Sequence, residues 1–248
     1  MNVIIKDADV FRRIINCLKD LITDSGELIF ESRGIFMKST DTSKVVMIDI
    51  HLEENAFSKY ELEKESEELK LPLNFINFND ILKLSKSAQI GLVYKPETEK
   101  ITIKMSETTK KKIQFNMVLS SVDKEELEIG EIIYETKVYI DAIELQKSIK
   151  DLSSFGKKCV ITVNENEIML SVTGDAGTGE ICISDIEIET NTNENFTGIF
   201  SMKYLNFFAK AGLSNEIVLK FGKNVPFCFE YQLENGYVKF YLAQLISD

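Results

Sequence analysis

The 248-residue sequence holds one histidine, no tryptophan, three prolines and four cysteines, and each scarcity removes a class of function. A zinc site or a disulfide framework needs clustered ligands. Cys17, Cys159, Cys182 and Cys228 stand far apart, with no C-x-x-C pair and only His51 to assist. They read as small buried hydrophobes. A single histidine disfavours Ser/His or Cys/His nucleophile chemistry. There is no G-x-x-x-x-G-K-S/T, G-x-G-x-x-G or G-x-S-x-G stretch. No cofactor or metal is expected, and nothing points to an enzyme. A hydrolase built on paired carboxylates, with Asp41 and Asp49 as the candidates, would lack both a phosphate loop and histidine support. No apolar run reaches the roughly 18 residues that cross a bilayer, and the start of the chain lacks a signal peptide's apolar stretch. The expectation is a soluble intracellular chain with no membrane partner. Basic residues are the minority charge, 29 Lys and Arg against 40 Asp and Glu, a formal net of −11. Such a surface repels polyanions as a whole, so the placement of the minority charge becomes the informative quantity.

Hydrophobic residues make up 44% of the chain and charged residues 28%, enough apolar material for one or two cored domains. The chain also repeats itself. Phe11, Ile14, Ile15, Leu18, Leu21 and Ile22 recur at helical spacing, and Asp141 to Leu152 reads the same way. Lys19-Asp20-Leu21 returns as Lys150-Asp151-Leu152, with Ile14 and Leu18 falling on Leu145 and Ile149. A second helix-like stretch, Phe75 to Ser85, is echoed at Met202 to Gly212, with Asn79 on Asn206 and Lys83 on Lys210. The strands that follow share register, Ile90 and Leu92 on Ile217 and Leu219. Two matches in the same order predict two copies of one unit of about 120 residues.

Between the helices the hydrophobic period changes to two. Strands are expected over 27–31, 44–50, 100–105 and 112–117, then over 159–163, 167–172, 180–184, 216–221, 227–231 and 237–242. Gly177-Thr178-Gly179 and Glu234-Asn235-Gly236 read as turns. The result is an α+β chain with domains 1–119 and 136–248, joined by an acidic connector, 120–135, whose apolar beads are Leu127, Ile129 and Ile132.

The basic residues share a pattern. Arg12, Arg13 and Lys19 lie opposite the apolar stripe of the first helix. Lys83 and Lys86 are three apart on the second, Lys147 and Lys150 three apart on the third, and Lys203 and Lys210 seven apart on the fourth. One such lysine in a last turn needs no ligand, since it complements the helix dipole by about 0.3–1 kcal/mol. Recurrence on all four helices of an acidic chain points instead to one cationic surface that approaches a polyanion. Without a base-stacking platform of aromatics between these lysines, and without a groove-reading motif, the expected contact is to phosphates and indifferent to sequence.

The segments Leu18 to Ile22, Ser39 to Val45, Lys203 to Lys210, Asn224 to Pro226 and Val238 to Ala243 resemble the proliferating cell nuclear antigen family of DNA sliding clamps. The similarity runs the length of the chain, and Tyr204 to Phe208 looks most like the eukaryotic branch. The resemblance implies a DNA clamp fold: two similar αβ domains per chain, helices on one face, antiparallel sheets on the other, and three chains closed head to tail into a ring around duplex DNA. It also implies a homotrimer, a role as DNA polymerase processivity factor in replication and repair, and the nucleus as the location in a eukaryote or the site of viral DNA replication in a virus. One subunit of a heterotrimeric replicative or checkpoint clamp, or a monomeric processivity factor, would be the alternatives.

The positions matching the family's DNA-facing set are Arg12, Arg13, Lys19, Lys83, Lys147, Lys150 and Lys210, with Lys86 added from helix phase. The implied subunit edges are 110–117 and 175–184, through Lys111, Ile113 and Phe115 on one chain and Gly179, Ile181 and Ile183 on the next. Polymerase, clamp loader and other clients would dock a short aromatic-anchored peptide. The matching pocket is Thr40, Lys44, Val45, Met47, Leu127, Ile129, Val225, Pro226, Tyr241, Leu242, Ala243 and Gln244. The chain departs from the family pattern at Gly130 (usually proline), Gln244 (proline), Lys44 (histidine), Glu165 (the ubiquitin-accepting lysine of eukaryotic members) and Asp80 (a DNA-facing lysine).

Overall fold

The computed structural model describes residues 1–22, 25–62, 68–84, 88–106, 111–122, 130, 132–192 and 194–246. In chain order the first half forms β1 (Asn2–Ile5), α1 (Ala8–Leu21), β2 (Gly26–Glu31), β3 (Gly34–Thr40), β4 (Val46–Glu53), β5 (Phe57–Glu61), β6 (Glu68–Leu73), α2 (Phe75–Leu82), β7 (Gln89–Lys95), β8 (Lys100–Ser106) and β9 (Lys112–Val118). The second half forms β10 (Thr136–Asp141), α3 (Ala142–Leu152), β11 (Lys158–Val163), β12 (Glu167–Gly174), β13 (Gly177–Ser184), β14 (Glu187–Thr190), β15 (Phe196–Ser201), α4 (Met202–Lys210), β16 (Glu216–Phe221), β17 (Phe227–Leu233) and β18 (Gly236–Leu242). The chain divides into two compact units. The first comprises Met1–Lys44, Ile48–Leu127 and Leu233–Tyr237; the second comprises Val45–Met47, Glu128–Gln232 and Val238–Asp248.

The predicted repeat is present strand for strand. The first unit orders its strands β5-β1-β7-β8-β9 and β4-β3-β2-β6; the second orders them β14-β10-β16-β17-β18 and β13-β12-β11-β15. Each series is the topological counterpart of the other. The ladders are antiparallel, and β2 and β11 alternate buried and less buried residues, as a one-faced sheet requires.

Local chemistry sets the helix ends. The Asp7 and Asp141 carboxylates each accept two backbone N–H groups of the first turn, at 2.9–3.0 Å, and so start α1 and α3. α1 runs for 14 residues and α3 for 11, so the Lys-Asp-Leu triplets coincide because both helices end on that leucine. α2 and α4 start together in the repeat but stop earlier than their periodicity suggests, at Leu82 rather than Ser85 and at Lys210 rather than Gly212. Gly212 stands just past α4 at φ +58°. There its N–H donates to Tyr231 Oη at 3.3 Å, and that hydroxyl in turn donates to the Phe208 carbonyl at 2.8 Å.

Other boundaries also shift. Lys44 is not strand. It adopts φ +55° in a turn closed by its N–H to the Asp41 carbonyl, at 2.9 Å, and β4 begins at Val46. Gly177 to Gly179, expected as a turn, belongs to β13, paired with β12 as far as Gly174 opposite Gly177. Gly174 has no alternative there, since a Cβ would lie 1.8 Å from the Phe155 carbonyl oxygen. The strands β1, β3, β5, β6, β10, β14 and β15 are additional to those expected.

Each unit has its own core. In the first, Phe11 of α1 meets Phe78 of α2 edge to face at 6.0 Å. In the second, Phe208 of α4 stacks on Phe240 at 4.6 Å, and Phe196, Phe200, Phe221 and Phe227 form a chain of ring contacts. Cys17, Cys159 and Cys228 fill these cores, and burial pushes each thiol up to about 12, against thiolate formation; Cys182 on β13 is exposed. Titration of the native chain with a thiol-selective chromogenic reagent near neutral pH should therefore modify at most one thiol per chain, with the other three reacting only after denaturant is added.

Candidate functional site

The four helices are built alike. α1 buries Phe11, Ile14, Ile15, Leu18 and Leu21 and leaves Asp9, Arg13, Asn16 and Asp20 exposed. α2 buries Phe75, Phe78, Ile81 and Leu82, exposes Ile76 and Asp80, and is followed by exposed Lys83. In the second unit, α3 buries Leu145, Ile149 and Leu152 and exposes Ile143, Glu144, Lys147, Lys150 and Asp151. α4 buries Met202, Leu205 and Phe208 and exposes Lys203 and Lys210. Within each unit the two helices pack side by side, α1 on α2 and α3 on α4. Gln146 Nε2 ties the second pair by donating to the Ala209 carbonyl at 3.1 Å. The apolar stripes therefore fix where the cations point.

Arg12 departs from this picture. Its side chain is only 14% exposed; Nη1 binds Asp9 at 3.1 Å and Nη2 donates to the Ala88 carbonyl at 2.6 Å. It joins α1 to the entry of β7, with its aliphatic stem folded on the protein surface. Lys19, 22% exposed on its side chain, contacts the Asp20 carboxylate, and Lys83 pairs with Asp80 at 2.9 Å. Lys147, Lys150 and Lys210 are exposed. Lys86 lies outside the described residues, and because α2 ends at Leu82 the helix phase that suggested it does not extend that far. Lys203 joins the group by its seven-residue spacing to Lys210. One aromatic does neighbour a lysine here, since Lys203 Nζ sits 5.3 Å from the centre of the Tyr204 ring.

Two sheet edges are unusual. β9 closes one side of its series and β13 one side of the other. On β9, Ile113 and Phe115 share the face of buried Met117, yet Phe115 remains 44% exposed. On β13, Gly179 and Ile181 share the face of Ile183 and are half-buried, whereas Ile183 itself is core at 4% exposure. Lys111 precedes β9 and is exposed. Just past β18, the counterpart of β9, the Ala243 N–H donates to the Val45 carbonyl at 3.2 Å.

The positions expected to hold a peptide divide by burial. In the second unit Val45, Met47, Val225, Pro226, Tyr241 and Gln244 are half-buried and Ala243 is exposed, so each offers surface. Leu242 is fully buried and serves the core. Thr40 is half-buried, and Lys44 is exposed on the turn before β4. Leu127 and Ile129 lie outside the described residues. Tyr134, not anticipated from sequence, lies near Tyr241, Cys228 and Glu230, and burial raises its hydroxyl pKa. Beneath it Glu230 is buried and paired with Lys220. Among the described residues no group of His, Cys, Asp and Glu could hold a metal, and no helix is long and apolar enough to cross a membrane.

Models of the proliferating cell nuclear antigen N-terminal and C-terminal domains match residues 1–127 and 128–245. The chain belongs to the proliferating cell nuclear antigen family. Among curated relatives, DNA polymerase sliding clamp 1 of Thermococcus kodakarensis is 29% identical over 99% of this chain and 98% of its own. The DNA polymerase sliding clamp of Thermococcus fumicolans is 30% identical over 92% and 94%. The crystal structure of the proliferating cellular nuclear antigen from Entamoeba histolytica superposes with a TM-score of 0.91 at 25% identity, covering 99% of this chain and 98% of that one. In this member of the proliferating cell nuclear antigen family, the cationic set thus contains one residue, Arg12, that is chiefly a brace. Arg12→Ala should lower unfolding free energy by about 1.5–3 kcal/mol, the range for a hydrogen bond to a charged group, while Arg13→Ala changes it by less than about 0.5 kcal/mol. Urea titrations of the two variants check this.

Proposed function

We infer that the chain is a sliding clamp, a DNA polymerase processivity factor without catalytic activity of its own, acting as a homotrimeric ring around duplex DNA. The observation that carries this reading is charge placement. In a chain with a net of −11, both helix pairs direct lysine and arginine away from the apolar stripe. A closed ring is held on DNA by topology, so its cations have only to offset repulsion and exchange phosphates loosely as the duplex passes. Three chains together carry three times −11, so a polyanion is admitted only where cations are gathered, as they are on the helical surfaces.

Ring closure is assigned to β9 of one chain and β13 of the next. Both edges carry incompletely covered apolar residues and unpaired backbone groups, the combination that natural sheets avoid unless another strand covers it. By contrast the terminal strand β14 carries Glu187 and Glu189, both exposed. Domains 1–119 and 136–248, with the connector 120–135, are the proposed organisation. The half-buried surface of Val45, Met47, Val225, Pro226 and Tyr241 is the proposed seat for the aromatic-anchored peptides of polymerase, loader and repair clients.

Sedimentation or light scattering should give close to three times 28.3 kDa for the isolated chain. Phe115→Asp should shift that mass to one chain without loss of helical circular dichroism. A wild-type mass of one chain at micromolar concentration would refute the homotrimer. Lys83, Lys150 and Lys210 changed together to glutamate should abolish clamp-stimulated synthesis on long primed templates while the trimer persists. Unchanged product length would remove the helices from the DNA-facing role.

A further inference from the structure

The two helix pairs carry similar numbers of cations with unequal freedom. In the first unit Arg12 is held by Asp9 and the Ala88 carbonyl, Lys19 contacts Asp20, and Lys83 is paired with Asp80. Arg13 is not free either. In the second unit Lys147, Lys150 and Lys210 are exposed and form no ion pair among the described residues, and Lys203 faces the Tyr204 ring rather than a carboxylate. The repeat shows where the difference lies. Counted from the aspartate caps, Asp9 falls on Ile143; counted from the helix starts, Asp80 falls on Phe207. Two carboxylates that neutralise cations in one pair are hydrophobic in the other, whereas Asp20 keeps its counterpart in Asp151, which with Glu144 is exposed on α3 without pairing a lysine among the described residues. Ile143 is 73% exposed.

We propose that the grip on DNA is divided unequally, the second unit's Lys147, Lys150, Lys203 and Lys210 making the main phosphate contacts and the first unit's cations a weak one. This rests on the sliding-clamp reading. A lysine already paired must give up its carboxylate to reach a phosphate, so it gains less on contact than a lysine that exchanges only water and mobile ions. The first pair is thus closer to neutral padding, and the second is the track.

The test compares two triple variants of the full chain, Lys147→Ala/Lys150→Ala/Lys210→Ala and Arg13→Ala/Lys19→Ala/Lys83→Ala, each removing the same formal charge. Binding to a fluorescent linear duplex is followed by anisotropy between about 20 and 200 mM salt, a range in which phosphate contacts dominate. The second-unit variant should bind about tenfold more weakly at the low-salt end and show a shallower salt slope. The first-unit variant should lose about twofold, with the slope nearly kept. Equal losses, or a larger loss in the first-unit variant, overturn the unequal division and leave the clamp reading standing. No loss in either variant, with wild-type binding intact, overturns both.

Discussion

Burial of one apolar stripe per helix is the constraint on which the rest depends. Four helices cover sheet faces with leucine, isoleucine and phenylalanine, and the opposite face of each is then committed to solvent. In a chain with so strong an acidic excess, this geometry directs Arg13, Lys147, Lys150, Lys203 and Lys210 to those faces. The aspartate caps fix where α1 and α3 begin, and with that beginning the rotation of every later side chain. Function follows from packing, because no residue needs a shifted pKa or a bound group for such a surface to attract phosphate.

Duplication supplies the second half of the logic. The same succession of strands appears twice, so an edge that is covered in one copy has a counterpart that is bare in the other. β18 has Val45 beside its end, whereas β9 presents Phe115 and Val118 to solvent. The divergence between copies is equally informative. The sheets of the two units match in strand order, while the outer faces of the helices differ in charge.

Much of this was legible in the residues themselves. The helical period over 11–22 and its return over 141–152 marked both long helices, and the Ile90 and Ile217 registers marked the duplication. Strand edges with charged or polar residues, β5 and β14, were not legible because an exposed strand has no hydrophobic alternation to betray it. Lys44 resembled the start of a strand because Val45 to Ile50 is apolar, while the turn depends on the Asp41 carbonyl and a positive φ that composition does not announce. Arg12 occupied the right face by spacing, yet its partner, the Ala88 carbonyl, lies 76 residues along the chain. Helix phase gives the direction of a Cβ, not the destination of a long side chain.

Gly174 has a mechanical consequence. Because nothing larger than hydrogen fits between its α-carbon and the Phe155 carbonyl, the β12–β13 hairpin abuts the residues that directly follow α3. Leu152, the last residue of that helix, also reaches to within 3.6 Å of the space beside Gly179. Hairpin and helix are wedged into a single block, so a displacement of β13 is transmitted to the turn of helix that carries Lys150.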